Sequence, residues 1–443
     1  MTGTSSSETI STQQRRIAEL ARQMPDKPLS SLNHYLTVDL LREAYLRTRK
    51  DGAVGVDGQT AADYAKDLET NLRALLDRAK SGTYRAPPVR RTHIPKADGS
   101  LRPLGIPTFE DKVLQRAVAM LLEPIYEEDF APFSYGFRPR RSAHQALEAI
   151  WQQTSATRGG WVLDADIRKF FDMLDHQHLM AIVRQRVADG VILRLIGKWL
   201  NAGVLEGGTW SRPESGTPQG GVISPLLANI YLHEVLDRWF VAEVKPRMRG
   251  QVFLVRYADD FVMGFTDETD ASRVMEVLPK RFGKYGLSVH PEKTRVVPFR
   301  PPYKGGPPPG TFDFLGFTHF WGKSRGGKWT IRRKTAAKRL TRALDAVKDW
   351  CRRHMHKPIE EQHAALARKI KGHCAYYGIT GNAASLGRYR TELTRIWRVW
   401  LARRSQKANM TWERFQVLLS RLPLPPVRVV HSVYAERGAK PTP

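Results

Sequence analysis

The chain has 443 residues, 41% hydrophobic and 9% aromatic, which is enough apolar material to exclude wholesale disorder and enough length for more than one domain. Two cysteines, Cys351 and Cys374, exclude a disulfide-stapled fold or a Cys-rich zinc module. No apolar run approaches the ~20 residues of a membrane helix, and the Ser/Thr-rich start carries no secretory signal, so a soluble, reducing-compartment protein is expected. The net charge is +27, and it is uneven: residues 322–443 hold 28 Lys and Arg against 7 Asp and Glu, a surplus of 21. Like charge so concentrated repels itself unless phosphates neutralise it, so a nucleic acid is the favoured partner, although an anionic membrane surface also fits.

In chain order, residues 1–28 read as a polar tail entering a helix over 15–24. Val38–Arg49 and Ala61–Ala79 have helical periodicity, separated by the Gly/Asp-rich turn at 52–58. Short strands around Asp98-Gly99, a hairpin signal, fill 89–106. The spacing of Val113, Leu114, Ala117, Val118 and Leu121 predicts a helix over 110–126. A strand over 161–167, a helix over 179–200 and another over 225–235 follow. Two β-type runs, 252–257 and 261–265, make a hairpin with Asp259 and Asp260 at its bend. Nine Pro or Gly in the thirteen residues 298–310 mark a solvent loop, and 312–317 a short strand. Beyond 334 the chain reads as helical. Leu340, Leu344, Val347 and Cys351 form one core-facing stripe, and Tyr389, Leu393, Ile396, Trp397, Trp400 and Leu401 another. The fold class expected is α+β, with mixed material first and a basic helical domain second.

Two adjacent carboxylates between strands this apolar repel each other unless a cation intervenes. Asp164 and Asp166, at the end of another apolar strand, offer a third, and spacing alone does not choose between them. Three such charges in a small volume demand divalent ions. Oxygen-only ligands point to Mg²⁺, and two ions suit in-line phosphoryl transfer. An Asp-rich hairpin turn is the plain alternative for any one of these acids taken alone.

The company these acids keep resembles a known family. Tyr257-Ala-Asp-Asp260 after a strand resembles the signature of reverse transcriptases, and the surrounding blocks resemble the group II intron-encoded class. Those blocks are 54–58, 94–107, Ser134-Tyr-Gly-Phe-Arg-Pro139, Asp166-Ile-Arg-Lys-Phe-Phe-Asp172, 216–225, 286–294 and Phe314-Leu-Gly-Phe317, in the family's order. Ordered concordance over about 50–320 is far more specific than one short motif. The resemblance implies a right-hand polymerase. Its N-terminal tail would be 1–30, the N-terminal extension and fingers 31–160, the palm 161–320 with fingers elements interleaved, and the thumb or maturase domain 321–443. It implies Asp166 and Asp259 as metal ligands with Asp260 assisting, and selects Asp166 over Asp164. Lys96 and Arg102 would hold the incoming triphosphate, and Gln219 would lie by the nascent base pair. Lys293 would steady the triphosphate or protonate pyrophosphate. Phe171 would sit beneath the sugar and exclude a 2′-hydroxyl, although Phe170 or Phe171 must be core.

In the basic tail, Arg332, Arg333, Lys334, Lys338 and Arg342 suit phosphate contacts, and Tyr376 and Tyr377 suit stacking on RNA or packing between helices. The implied partners are an RNA template, a DNA primer, deoxynucleoside triphosphates and a parent group II intron RNA, in a bacterial cytoplasm. A homodimer is compatible with the sequence. The chain has no Cys/His cluster of the zinc endonuclease that longer relatives carry, so that activity is not expected. Two alternatives stay open: a host-adopted polymerase of repair or defence, and an RNA-binding splicing factor in which polymerisation is secondary.

Overall fold

A computed structural model describes residues 4–95, 101–206, 209–211, 220–324, 326–404 and 410–431. The chain divides into two compact units, one of Met1–Ala146, Leu163–Met263 and Asp267–Val296, the other of Leu147–Val162, Gly264–Thr266 and Val297–Pro443. Its strands are β1 (Val89–Pro95), β2 (Leu101–Ile106), β3 (Gly160–Ala165), β4 (Val204–Glu206), β5 (Thr209–Ser211), β6 (Val252–Tyr257), β7 (Asp260–Phe265), β8 (Arg295–Phe299), β9 (Phe312–Phe314), β10 (Phe317–Lys323) and β11 (Trp329–Thr335). They form three sheets, ordered β2-β1-β4-β5, β6-β7-β3-β8 and β11-β10-β9. The architecture is mixed helix and sheet, as expected. Among the described residues no helix is long and apolar enough to cross a membrane.

The first unit is organised on the helix Phe109–Asp129. Thr108 caps it by accepting from the Asp111 amide, and burial covers Ala119, Met120 and Leu122 as well as the predicted stripe, so the helix is enclosed on several sides. The N-terminal segment is helical from Thr4 to Gln23, longer than the 15–24 expected. Ile10, Ile17 and Ala21 are buried, and Gln14 Nε2 donates to the Met120 carbonyl at 2.9 Å. A polar face hid an apolar one.

The single helix expected over 179–200 is two, His176–Arg184 and Gly190–Leu200. Asp189 is the reason. Its carboxylate accepts from the amides of Val191 and Ile192, capping the second helix, and also from Leu32 and Asn33. The span 61–79 likewise breaks, into Ala61–Ala65 and Leu68–Ser81.

In the second unit, β10 and β11 pair antiparallel with His319 opposite Arg333. This hairpin was not read from the sequence. Helices Ala337–His354, Ile359–Tyr377, Ala383–Ala402 and Trp412–Arg421 follow. Leu340, Val347, Cys351, Tyr389, Leu393, Trp397 and Leu401 meet in one core, with Leu344, Ile396 and Trp400 partly buried against it, as their stripes predicted.

Candidate active site and nucleic-acid surface

The acid pair sits on a two-residue turn. β6 ends at Tyr257, Ala258 and Asp259 form the loop, and β7 begins at Asp260. Ala258 has φ +56°, a left-handed conformation that costs a residue with a Cβ, so the turn needs outside support. β3 is the neighbour of β7, and a Cβ on Gly160 would lie 1.9 Å from the Phe265 carbonyl oxygen. The start of β3 therefore lies against the end of β7 and the two run in opposite directions. Asp166, the first residue after β3, accordingly lies at the sheet end where β7 starts. Asp259 is half-buried and Asp260 exposed. The three carboxylates share one end of the sheet. Among the described residues, however, no three of Asp, Glu, His and Cys are gathered as a ready cation site.

Support for the turn comes from Arg256, fully buried in β6. Its Nε donates to Asp237 Oδ1 at 2.8 Å and its Nη2 to Oδ2, while Nη1 donates to Asn229 Oδ1 at 2.9 Å and to the Ala258 carbonyl at 3.1 Å. Asp237 is also fully buried, in the π-helical stretch His233–Arg238. Burial alone would raise its carboxyl, but the guanidinium prevails and holds it below the ordinary range. Asn229 Nδ2 donates onward to the Gly136 carbonyl at 2.7 Å. The segment containing Gly136 bridges to β6 through Tyr135 N to Arg256 O and Arg256 N to Phe133 O, at 2.8 and 2.9 Å. Gly136 lies so close to the turn that a Cβ there would be 2.3 Å from the Ala258 amide nitrogen. Thus Ser134-Tyr-Gly-Phe-Arg-Pro139 forms a cradle under the acid turn. Arg256, Asp237 and Asn229 were missed from the sequence. The signal available was an arginine inside an apolar strand, which requires a buried partner.

Lys293 Nζ donates to Asp166 Oδ2 at 2.8 Å. Its loop is tied to the segment after β3: His290 N donates to the Asp166 carbonyl and Arg168 N to Ser288 O, both at 2.8 Å. Asp164 instead faces Arg295, 3.8 Å away. Phe170 is buried beside Tyr231, whereas Phe171 is half-buried and meets Phe170 edge-on at 5.3 Å.

Lys96 and Gln219 lie outside the described residues. For Arg102 only the backbone is described, in β2 opposite Ile94. The loop expected to contact template and nucleotide is described from Gly220 onward. There a Cβ would lie 2.6 Å from the Gly105 carbonyl of β2, and Ile223 N donates to Gln115 Oε1 at 3.3 Å. Gln115 in turn donates to Asp111, which also accepts from Tyr84 and Trp199 at 2.6 and 2.7 Å. Burial pushes the Asp111 carboxyl up to about 6, against the pull of those donors.

In the second unit, Arg332 and Lys334 on β11 and Lys338 and Arg342 on the following helix are exposed. Arg333 is not. It is 4% exposed, points inward on the alternating strand, and lies 3.6 Å from Glu148. Its expected phosphate contact is therefore corrected to a buried structural charge. Tyr376 and Tyr377 are half-buried and pack on Phe317 at 5.8 and 5.2 Å, and Tyr376 OH donates to the Leu315 carbonyl. Both rings thus take part in packing.

Carboxylates on a strained hairpin turn, with a lysine on the acid of the adjoining strand, form a centre suited to cations, and through divalent ones to phosphate-bearing substrates. Comparison with known proteins agrees. The profile of the family described as Reverse transcriptase (RNA-dependent DNA polymerase) matches residues 94–319, just over half of the chain. Protein YkfC of Escherichia coli (strain K12) is 37% identical over 322 residues, 65% of this chain and 84% of that protein. Group II intron-encoded protein LtrA of Lactococcus lactis subsp. cremoris is 41% identical over 237 residues, 52% of this chain but only 38% of LtrA. Nuclear intron maturase 4 of Arabidopsis thaliana is 25% identical over 195 residues, 23% of its length. The chain belongs to the reverse transcriptases, the RNA-directed DNA polymerases.

Proposed function

We propose that this chain extends a DNA primer on an RNA template at Asp166, Asp259 and Asp260, and that it assists splicing of a parent group II intron RNA. The observation that carries the polymerase reading is the shared sheet end of these acids, two of them on a turn held by the Arg256–Asp237 pair. Their oxygen-only donor set fits Mg²⁺, and the 2.8 Å bond from Lys293 marks Asp166 as a carboxylate that takes a cation. Two or three protein oxygens fall short of a full ligand sphere, so phosphate oxygens would complete it. Two such ions would activate the primer 3′-hydroxyl and stabilise the leaving pyrophosphate.

The chain's own residues do the rest. Lys293 brings a cation to the triphosphate or a proton to pyrophosphate. Phe171, with part of its ring free, lies beneath the sugar and leaves no room for a 2′-hydroxyl. Lys96 and Arg102 hold the triphosphate, and Gln219 lies by the new base pair. Residues 31–160 then serve as extension and fingers, 161–320 as palm and 321–443 as thumb. Arg332, Lys334, Lys338 and Arg342 grip nucleic-acid phosphates. The test is Mg²⁺-dependent extension of a DNA primer on an RNA template by wild type and Asp259→Ala. Extension by wild type and none by the variant is expected. Equal extension by both would refute the assignment.

A further inference from the structure

Phe137 combines two costs in one residue. It has φ +55°, a conformation that bulky side chains rarely adopt, and it is 59% exposed. Among the described residues it is the one large exposed hydrophobic side chain with positive φ. Looseness does not account for it, because both neighbours are clamped. Gly136 abuts the Ala258 turn and its carbonyl accepts from Asn229. Arg138 is buried, bonded to the carbonyls of Ala131 and Ser134 and to both oxygens of Glu127. The backbone thus holds the ring out, 6.5 Å from the ring of Tyr257, the residue before the acid turn. Arg140 and Arg141, exposed just beyond, form no ion pair among the described residues, and Arg141 lies over the Tyr135 ring at 5.4 Å. Strained backbone of this kind gathers where it serves a ligand. An exposed ring beside exposed cations without a carboxylate is the way proteins hold a nucleic-acid strand, the ring against base or sugar and the cations on phosphates.

We infer that Phe137, with Arg140 and Arg141, forms a ledge that seats the primer strand close to its 3′ end. The primer is favoured because its terminal hydroxyl must reach the acids, and Phe137 stands over the turn that carries them. The inference rests on the reading of Asp166, Asp259 and Asp260 as the reaction centre. Phe137 would act as a positioning residue: it sets where the primer end lies and takes no part in the chemistry.

Glycine separates function from folding here, since it relieves positive φ and removes the ring. Phe137→Gly should melt higher than wild type, yet bind a primer–template duplex about tenfold more weakly, the lower end of what a ring–base contact is worth. Phe137→Tyr should restore binding. Affinity is measured by fluorescence anisotropy in an Asp259→Ala background as well as in wild type, so that binding is read without catalysis. Unchanged affinity in Phe137→Gly, or a Phe137→Tyr as weak as Phe137→Gly, overturns the ledge. Primer extension that survives Asp259→Ala overturns the reaction centre instead.

Discussion

Gly136→Ala is the sharpest probe of how the acid turn is held. A Cβ at 136 would lie 2.3 Å from Ala258 N, 2.8 Å from the Tyr257 carbonyl carbon and 3.0 Å from Ala258 Cα, where ordinary contact begins at 3.4 Å. All three are backbone atoms, and none can swing aside as the tip of a long side chain can. The turn must therefore retreat by about 1 Å, a misplacement that costs a reacting group about 100-fold in rate. Overpacking a tight contact costs about 1–3 kcal/mol, less than the stability of most folded domains, so the variant should fold. Expected are a single-nucleotide incorporation rate about 100-fold below wild type, a melting temperature a few degrees lower and unchanged primer–template affinity. Incorporation at the wild-type rate would refute the claim that this cradle sets the position of Asp259.

Three further outcomes follow from the second unit. His319 stacks on Phe312 at 4.7 Å, and neither of its ring nitrogens has a hydrogen-bond partner among the described residues. Burial, with the nearby Arg333 charge, pushes the imidazole down to about 3, so the unfolded chain takes up a proton first. Stability therefore falls as pH drops from about 6.5 toward that value, and His319→Phe should remove this slope and add about 1–3 kcal/mol, read from melts between pH 7 and 4. Replacing Lys338 and Arg342 by Gln should lower RNA affinity and reduce its salt slope by about 2 without moving the melting temperature. Arg333→Gln should do the reverse, lowering the melting temperature and sparing the salt slope; equal effects on binding would contradict its burial.

Much of the acid site was legible because it is local: a turn between two apolar runs, and an Asp at the end of another strand. Its support was not. Arg256 advertises a partner, but Asp237 lies 19 residues away on a different element and looks like any helical surface acid. Gly136 stood inside a recognised block, yet only the fold shows which backbone it touches. β11 escaped notice because its inward positions, Ile331, Arg333 and Thr335, include a charge, which breaks the alternation that marks a half-buried strand. For the same reason Arg333 was grouped with exposed neighbours. The break at Asp189 was hidden in an apolar run whose periodicity continues across it. There one carboxylate with five donors outweighed the pattern.

The lysine bonded to Asp166 gives the proposed reaction centre a built-in counter-charge. A nest of carboxylates is ordinarily a burden to a folding chain, which must wait for dissolved ions or tolerate the repulsion. Here part of that repulsion is quenched by the polypeptide itself, through a residue 127 positions downstream. On that reading, assembly of the sheet end need not wait for substrate: the protein can complete its architecture first and exchange its own ammonium for an incoming metal ion later.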